Sequence, residues 1–319
     1  MQVGLANLGQ RLLSLCLLTS AGLVGIGTLL QFVLRDELPI LATLFYAFPP
    51  QVGAPIALTA SILWFRRKRV ALGTLHFLGA GALVALLVAV GWLPGAKEDS
   101  PTPPGEGLTV MTWNLWGARV GAEQIGSKIA ELAPDVAAVV EAGDLPDQSH
   151  LLGEHLPGYR VVPLSSRSML LVKGHVSAAK STQLGARRRL STAIVDVGSY
   201  EVAIAVVDLH WGVWEHRKAG FETIRRKLAA FRNQHAATPL IVLGDFNTPR
   251  SSPLLTQLRG DLVNCFEVAG IGLGFTWPAP TPLWDLDQIW VDKGWTTHSC
   301  TTPMTLASDH RPVLVQLSR

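Results

Sequence analysis

The sequence predicts an α+β protein in which a membrane region precedes a domain of two packed β-sheets flanked by helices. Long uncharged apolar segments fill the first 95 residues, and hydrophobic residues make up 48% of the 319-residue chain, which is high for a soluble protein. Further along, short apolar strands alternate with amphipathic helices, and the strands are the more numerous. Many neighbouring strands read as antiparallel pairs, which favours two packed sheets.

Residues 1–95 are predicted to hold about three transmembrane helices. Residues 12–34 and 70–94 carry no charge, and each segment is long enough to cross a bilayer. A third span is expected over about residues 43–65, kinked near Pro49 and Pro50, because so long an uncharged segment has few soluble explanations. A cleaved signal peptide would not explain three successive apolar segments.

The basic residues at 66–69 predict the orientation of this region. Dense Lys and Arg clusters beside a span stay in the cytoplasm, so the chain after about residue 95 is expected on the other side. We therefore predict a multi-pass protein of the cell (inner) membrane with an extracytoplasmic domain, and the lipid bilayer as one of its partners.

The Pro-rich segment at 96–107 is predicted to be a linker, and residues 108–319 a single domain. Residues 105–319 contain 20 Lys and Arg against 20 Asp and Glu, so the net charge of +3 belongs to the membrane region. A neutral domain argues against a strong non-specific grip on nucleic acid. Cys265 and Cys300 could pair in an oxidising compartment or lie buried as free thiols, and the sequence leaves both readings open.

The elements of the domain follow from hydrophobic periodicity. The predicted strands include a hairpin that turns at residues 198–200, and the predicted helices are amphipathic. Strands are predicted at residues 108–116, 135–142, 168–174, 190–198, 201–211, 239–245, 286–291 and 311–317, and helices at 122–134 and 214–234.

Polar residues of the metal-ligand and acid–base types collect where these strands begin or end. One such residue is usually a turn residue, but many of them at sheet edges indicate a functional site. The set comprises Asn114, Glu141, His210, Asp245, Asn247, Asp287, Asp309 and His310.

These residues stand in motifs that resemble the endonuclease/exonuclease/phosphatase (deoxyribonuclease I-like) superfamily. The motifs occur in the family's order over essentially all of residues 108–319, and the pair "GDFN" and "SDHRPV" is the most specific. The motifs are "TWNLWG", "VVEAGD", "VDLHW", "LGDFNTP", "LDQIWV" and "SDHRPV". The resemblance implies a four-layer α/β/β/α sandwich of two mixed β-sheets and metal-dependent hydrolysis of a phosphate ester.

The resemblance also implies a metal site. Glu141, helped by Asn114 and Asp309, would hold Mg²⁺, with Mn²⁺ as a substitute, and oxygen ligands of this kind suit such hard cations.

The remaining motif residues would act in catalysis. The resemblance implies that Asp245 positions or deprotonates the attacking water and that Asn247 orients the phosphate. His310 would donate a hydrogen bond to a phosphate oxygen, with Asp287 orienting its ring. His210 is similar to the second histidine of the deoxyribonuclease I, sphingomyelinase and inositol-phosphatase branches.

Two residues depart from the family pattern. Asp208 stands where those branches usually carry asparagine, two residues before the histidine. Lys173 stands at the approximate position of an arginine in the segment after the third strand.

Weaker candidates for substrate contact are one arginine and three tryptophans. Arg187 lies in a run of three arginines that would more often be a solvated strand edge. Trp116 and Trp211 flank motif residues, and Trp277 either walls the pocket or packs in the core.

The sequence therefore favours a membrane-anchored, metal-dependent phosphoesterase, a phosphodiesterase or phosphomonoesterase acting on a lipid headgroup or other envelope substrate. The alternatives are an extracytoplasmic deoxyribonuclease-like nuclease and an inactive membrane-tethered binding module. The substrate and the oligomeric state stay open.

Overall fold

The structure is a computed structural model that describes residues 2–91, 107–143, 147–184, 189–212 and 217–319. It divides into two compact units, an N-terminal helical unit and a larger unit that contains every described strand. Except for residue 107, the predicted linker at 96–107 lies outside the described residues.

The described part of the N-terminal unit contains four α-helices. They are α1 (Gln2–Leu29), which continues as a π-helical segment (Leu30–Leu34), α2 (Pro39–Ala47), α3 (Pro50–Arg66) and α4 (Val70–Gly91). α1 and α3 pack through a small apolar cluster that includes Leu17, Ala60 and Trp64.

Within the described residues, one helical segment is long and apolar enough to cross a membrane, Gly9–Leu34 with 26 residues. This corrects the prediction of about three spans. The apolar segment that follows is broken into α2 and α3, which are bent by 59° and count at most as one further span. The Pro49–Pro50 pair explains the break, because proline lacks the N–H that a continuous helix needs. The apolar segment Val70–Ala85 is shorter than a span.

The larger unit is built on two six-stranded sheets. The first sheet has the strand order β11-β12-β1-β2-β4-β3 and the second β5-β6-β7-β8-β10-β9. Both sheets are mixed, since β1–β2 and β7–β8 are parallel and the other pairs are antiparallel. The strands are β1 (Leu108–Asn114), β2 (Val136–Val140), β3 (Arg160–Pro163), β4 (Ser168–Val172), β5 (His175–Gln183), β6 (Arg189–Val197), β7 (Tyr200–Asp208), β8 (Leu240–Asp245), β9 (Leu262–Asn264), β10 (Asp287–Asp292), β11 (Thr296–Thr301) and β12 (Val313–Ser318).

Helices cover the outer face of each sheet. An apolar cluster joins the first sheet to α5 through Ile125 and Ile129, and a second cluster joins the other sheet to α7 through Phe221 and Ile224. A third cluster fills the space between the sheets. The described helices of this unit are α5 (Ala122–Leu132), α6 (Asp147–His155), α7 (Arg217–Gln234), α8 (Thr256–Arg259) and α9 (Cys265–Ala269). The expected sandwich of two mixed sheets between helical layers is thus confirmed. Cys265 and Cys300 are buried free thiols.

The core between the sheets changes from apolar to acidic at one edge. Alternate residues of β7, β8 and β10 point into this core, and the same alternation carries Asp208, Asp245 and Asp287 to its edge. In the second sheet Asp208 and Asp287 each lie opposite Asp245, and Arg189 lies opposite Asp208. The fold therefore sets three carboxylates side by side, facing the end of β1 in the other sheet.

Candidate active site

Asp245 stands at the centre of this edge, directly after a glycine that the strand requires. Gly244 has φ 138°, and a Cβ atom there would lie 1.9 Å from the carbonyl oxygen of Val207 on the adjacent strand. No other residue fits this close approach, which explains why a glycine precedes the aspartate.

The Asp245 carboxylate is held by two asparagines from different parts of the fold. Asn114 Nδ2 donates to Asp245 Oδ2 across the gap between the sheets at 2.9 Å. Asn247 Nδ2 donates to the same oxygen at 3.0 Å, and the Asn247 backbone N–H donates to Asp245 Oδ1 at 2.7 Å. Asn247 adopts a left-handed backbone with φ 46°, a conformation that asparagine tolerates better than most residues. Its amide also donates to the carbonyl oxygen of Leu209 at 2.6 Å, so Asn247 orients Asp245 directly.

Burial raises the pKa of Asp245 well above its usual value, and the neighbouring charge of Asp287 raises it further. His310 and the hydrogen bonds from Asn247 and Asn114 lower the pKa and only partly offset this rise. A carboxylate with a raised pKa is a stronger proton acceptor when ionised, which suits general base chemistry.

Asp287 and His310 form a buried pair beside Asp245. His310 Nδ1 lies 2.7 Å from Asp287 Oδ2. Burial disfavours the charged imidazolium and lowers the pKa of His310. The charge and hydrogen bond of Asp287, followed by the charges of Asp245 and Asp309, outweigh the effect of burial and raise this pKa to about 9. At neutral pH the ring is therefore protonated, and Nε2, which bonds to no described residue, is left as a donor.

His210 follows β7 at the same edge of the second sheet. Its Nδ1 accepts a hydrogen bond from the backbone N–H of Gly212 at 3.0 Å, which leaves the proton of the neutral ring on Nε2. The exposed ring of Trp211 lies 5.4 Å from the His210 ring.

The three expected metal ligands come from one edge of the first sheet and the loop before β12. Asn114 and Val140 are register partners on parallel strands, so Glu141 follows beside Asn114. Glu141 has a left-handed backbone with φ 51°, and its Oε2 pairs with Arg167 Nη2 at 3.0 Å. Asp309 Oδ2 accepts from Trp277 Nε1 at 3.2 Å, while Asp309 Oδ1 is buried with no hydrogen-bond partner.

A different triad also brings potential ligand atoms close together. Among the described residues, Asp245, Asp287 and His310 have potential ligand atoms within 4.8 Å of one another. Asp245 Oδ2 accepts from the two asparagines and Asp287 Oδ2 contacts His310, whereas Asp287 Oδ1 is buried without a partner. The unpartnered buried oxygens Asp309 Oδ1 and Asp287 Oδ1 do fit a divalent cation, since such ions prefer carboxylate and amide oxygens.

The tryptophans predicted to contact substrate have distinct environments. Trp277 is half-buried, and its ring lies 6.4 Å from the His310 ring, so it borders the site. Trp116 is partly exposed, with the Arg119 guanidinium 4.1 Å from its ring centroid. Trp211 is 57% exposed. Arg187 lies outside the described residues.

Two arginines that contact site residues were missed in the sequence. Arg167, directly before β4, pairs with Glu141, whereas Lys173, expected near the family's arginine position, lies after the other end of β4 and pairs with Asp135 at 3.4 Å. The antiparallel order of β2 and β4 could have revealed Arg167. Arg217 is buried and donates to the carbonyl oxygens of Phe246 at 3.3 Å and Asn247 at 2.5 Å, and to Thr248 Oγ1. No sequence signal separates Arg217 from the solvated arginines of α7.

The sandwich, with buried carboxylates, asparagines and a histidine at one edge, defines a class of phosphoesterase and nuclease folds. Residues 111–310 match the Endonuclease/Exonuclease/phosphatase family. Because this match covers more than half of the chain, the chain belongs to that family, as the motifs indicate. Comparison with curated proteins gives no match.

Solved structures share the fold at low sequence identity. A functionally unknown conserved protein from Enterococcus faecalis superimposes with a TM-score of 0.57 at 16% identity, covering 66% of this chain and 99% of that one. A mannosyl-6-phosphatase from Bacteroides thetaiotaomicron superimposes with a TM-score of 0.54 at 18% identity, covering 66% of this chain and 100% of that one. D. rerio TDP2, complexed with single-strand DNA product, superimposes with a TM-score of 0.52 at 14% identity, covering 67% of this chain and 99% of that one. At these identities the likeness concerns the fold alone.

Proposed function

We propose that this chain is a membrane-anchored phosphoesterase that needs a divalent cation and hydrolyses a phosphate ester. The observation that carries the proposal is the hydrogen-bonded set at one edge of the sandwich, in which Asn114 and Asn247 hold the Asp245 carboxylate beside the Asp287–His310 pair. An inactive binding module would not need a base of raised pKa next to a protonated histidine.

Each residue has a task that its contacts support. Asp245 takes the proton of the attacking water, and the two asparagines keep its carboxylate aimed. His310 Nε2 donates a hydrogen bond to a phosphate oxygen, and its positive charge opposes the negative charge that builds there. His210, with its proton on Nε2, is placed as a second donor.

Asn114, Glu141 and Asp309 would hold the cation, with Mg²⁺ preferred and Mn²⁺ as a substitute. When bound, the ion supplies positive charge that stabilises the phosphoryl oxygens and the leaving group. Trp277 supports this arrangement by donating to Asp309 at 3.2 Å, which fixes one carboxylate oxygen and leaves the other available.

A lipid headgroup or another envelope phosphate ester is the favoured substrate class. Residues 105–319 carry 20 basic and 20 acidic residues, which disfavours tight binding to a nucleic-acid backbone. The exposed rings of Trp116 and Trp211 lie close in the sequence to Asn114 and His210, and aromatic side chains of this kind suit a partly apolar substrate.

Membrane attachment is proposed from the N-terminal unit. Many apolar side chains of Gly9–Leu34 are exposed in the structure, including Leu12, Leu15 and Ile26, so they require lipid or another apolar partner. The basic residues at 66–69 would remain cytoplasmic, and an extracytoplasmic domain then requires α4 (Val70–Gly91) to cross the membrane as a further span. A C-terminal alkaline phosphatase fusion that is active only when exported tests this orientation, and a fusion active only as a cytoplasmic reporter would overturn it.

The first test is hydrolysis by the full chain in detergent. The substrates are a bis-aryl phosphodiester, phospholipid vesicles, inositol phosphates, sugar phosphates and plasmid DNA, each with Mg²⁺ or with chelator. We expect Mg²⁺-dependent hydrolysis, and Asp245→Asn should reduce it by roughly 10²- to 10⁴-fold.

Asp196→Asn is the matched control, because Asp196 is exposed on β6 at the end of the strand away from the site. Cleavage confined to plasmid DNA would favour the nuclease alternative. Absence of cation-dependent hydrolysis on every substrate, with Asp245→Asn and Asp196→Asn indistinguishable, would leave the binding module as the better account.

A further inference from the structure

Asp208, the last residue of β7, is a buried carboxylate that has no partner in the described structure. The residue is 8% exposed, and its side chain accepts no hydrogen bond and forms no ion pair with any described residue. Its oxygens are not among the fully enclosed unpartnered atoms of the described residues, so water or an ion can reach them and compensate the charge.

The sheet places this carboxylate within the candidate site. Asp208 lies opposite Asp245 on the parallel neighbour β8 and shares its inward face. On its other side it lies opposite Arg189. Asp208 therefore borders the same gap between the sheets as the Asn114–Asp245 hydrogen bond.

Glu141 acts on Asp208 from the facing sheet. Burial and then the charge of Glu141 raise the pKa of Asp208 to about 6, whereas Arg167 and Arg189 lower it. Arg167 is already paired with Glu141 at 3.0 Å. The charge of Glu141 therefore disfavours the ionised form of Asp208, and the charges of the two arginines favour it.

We propose that Asp208 is a further ligand of the divalent cation, acting together with Glu141. The inference rests on the proposed cation-dependent function and extends the ligand set beyond Asn114, Glu141 and Asp309. A carboxylate beside Asp245 on the inward face of the sheet offers the oxygen atoms that Mg²⁺ and Mn²⁺ prefer. Because the similar family branches usually carry asparagine here, the added charge would be a property of this chain.

The test is Mn²⁺ binding to the full chain in detergent after the protein has been stripped with chelator. Calorimetry and the Mn²⁺ electron paramagnetic resonance signal both report free and bound ion without any substrate. Asp208→Asn keeps the shape of the side chain and removes the charge, so we expect Mn²⁺ to bind roughly 10-fold or more weakly. Glu141→Gln should also weaken binding, and the double variant should lose less than the product of the two single losses.

Two further measurements separate a ligand from a structural residue. Without cation, Asp208→Asn should melt at the same or a higher temperature than the original chain, because an unpaired buried charge has been removed. Saturating Mn²⁺ should raise the melting temperature of Asp208→Asn by less than it raises that of the original chain. Asp196→Asn is the control for the change of charge. Asp208→Ser is a second variant, to be used if Asp208→Asn folds poorly.

Unchanged Mn²⁺ affinity in both Asp208 variants would overturn the inference. This failure is distinguishable from failure of the proposed function. Asp208-dependent Mn²⁺ binding without hydrolysis of any substrate would sink the enzyme proposal alone, and Mg²⁺-dependent hydrolysis with Asp208-independent binding would sink this inference alone.

Discussion

Asn114 donates a hydrogen bond to Asp245 at 2.9 Å, and this bond joins the two sheets of the sandwich through residues 131 positions apart in the chain. The backbone oxygen of Asn114 also accepts from Ser308 Oγ at 2.7 Å, two residues before His310. One asparagine at the end of β1 therefore ties the proposed base to the segment that carries the proposed phosphate donor.

Asn114→Ala should move the pH dependence of hydrolysis. The Asn114 hydrogen bond lowers the pKa of Asp245. Without it the pKa rises, so the ionised base should appear only at higher pH, and the acidic limb of the rate profile should shift in that direction. The measurement is the rate at saturating Mg²⁺ between pH 5 and 9 or so.

Asn233→Ala, an exposed position on α7, serves as the control for this change. An acidic limb that stays in place in Asn114→Ala, or moves to lower pH, would contradict the role of Asp245 as base.

The central elements of the fold were predictable, and the sheet edges were not. Buried strands such as β2 and β8 have nearly continuous apolar sequences that identify them. β5 is exposed over most of its length and β11 is polar, so neither carries a burial pattern that sequence reasoning could use. The polar residues at the places where predicted strands begin or end likewise indicated Asp245 and His310 as site residues.

Contacts across the gap between the sheets were beyond reach of the sequence. The hydrogen bond from Asn114 to Asp245 joins residues of different sheets, and the surroundings of Asp208 depend on which residues face it from the other sheet. Both are properties of tertiary packing, which local patterns do not encode. The break between α2 and α3 shows the same limit, since the length of an apolar segment in the sequence does not tell whether it forms one continuous helix.

The Asp287–His310 pair should make stability depend on pH. The pKa of His310 rises from 6.5 to about 9 in the folded protein. The imidazolium therefore contributes fully below pH 6.5, and its contribution is lost as pH rises through 9. A shift of this size corresponds to about 3 kcal/mol of unfolding free energy.

The measurement is denaturant unfolding of the full chain from about pH 6 to 10 in the presence of chelator. His310→Gln should abolish most of the loss between neutral and alkaline pH. His150→Gln, which changes an exposed histidine, should retain it. An equal fall in stability for both variants would show that His310 does not hold this proton.

Arg167 and Glu141 should have opposite effects on the cation. Glu141→Gln removes a proposed ligand charge and should raise the Mg²⁺ concentration that supports half-maximal hydrolysis. Arg167→Gln removes a positive charge that lies 3.0 Å from that ligand, so it should tighten Mn²⁺ binding, by roughly 5-fold at low ionic strength.

Arg160→Gln, an exposed arginine at the start of β3, is the control for lost positive charge. Weaker Mn²⁺ binding in Arg167→Gln would mean that the arginine orients Glu141 for the ion and does not compete with it.

Arg217 should act on catalysis through Asn247. Its buried guanidinium bonds to the backbone oxygens of Phe246 and Asn247, and so holds the turn in which Asn247 has φ 46°. That turn aims the Asn247 amide at Asp245, and displacing a catalytic group by about 1 Å can cost on the order of 10²-fold in rate. Arg217→Met should therefore lower kcat by roughly 10- to 100-fold with little change in KM.

Arg217→Lys separates positioning from a general loss of folding. Lysine keeps the charge but has no planar fork of donors, so it should restore only part of kcat while raising the melting temperature toward that of the original chain. Arg226→Met, at an exposed position on the same helix, should leave both kcat and melting temperature unchanged. If KM rose while kcat stayed constant in Arg217→Met, the arginine would be serving substrate binding, and the link from Arg217 through Asn247 to Asp245 would be wrong.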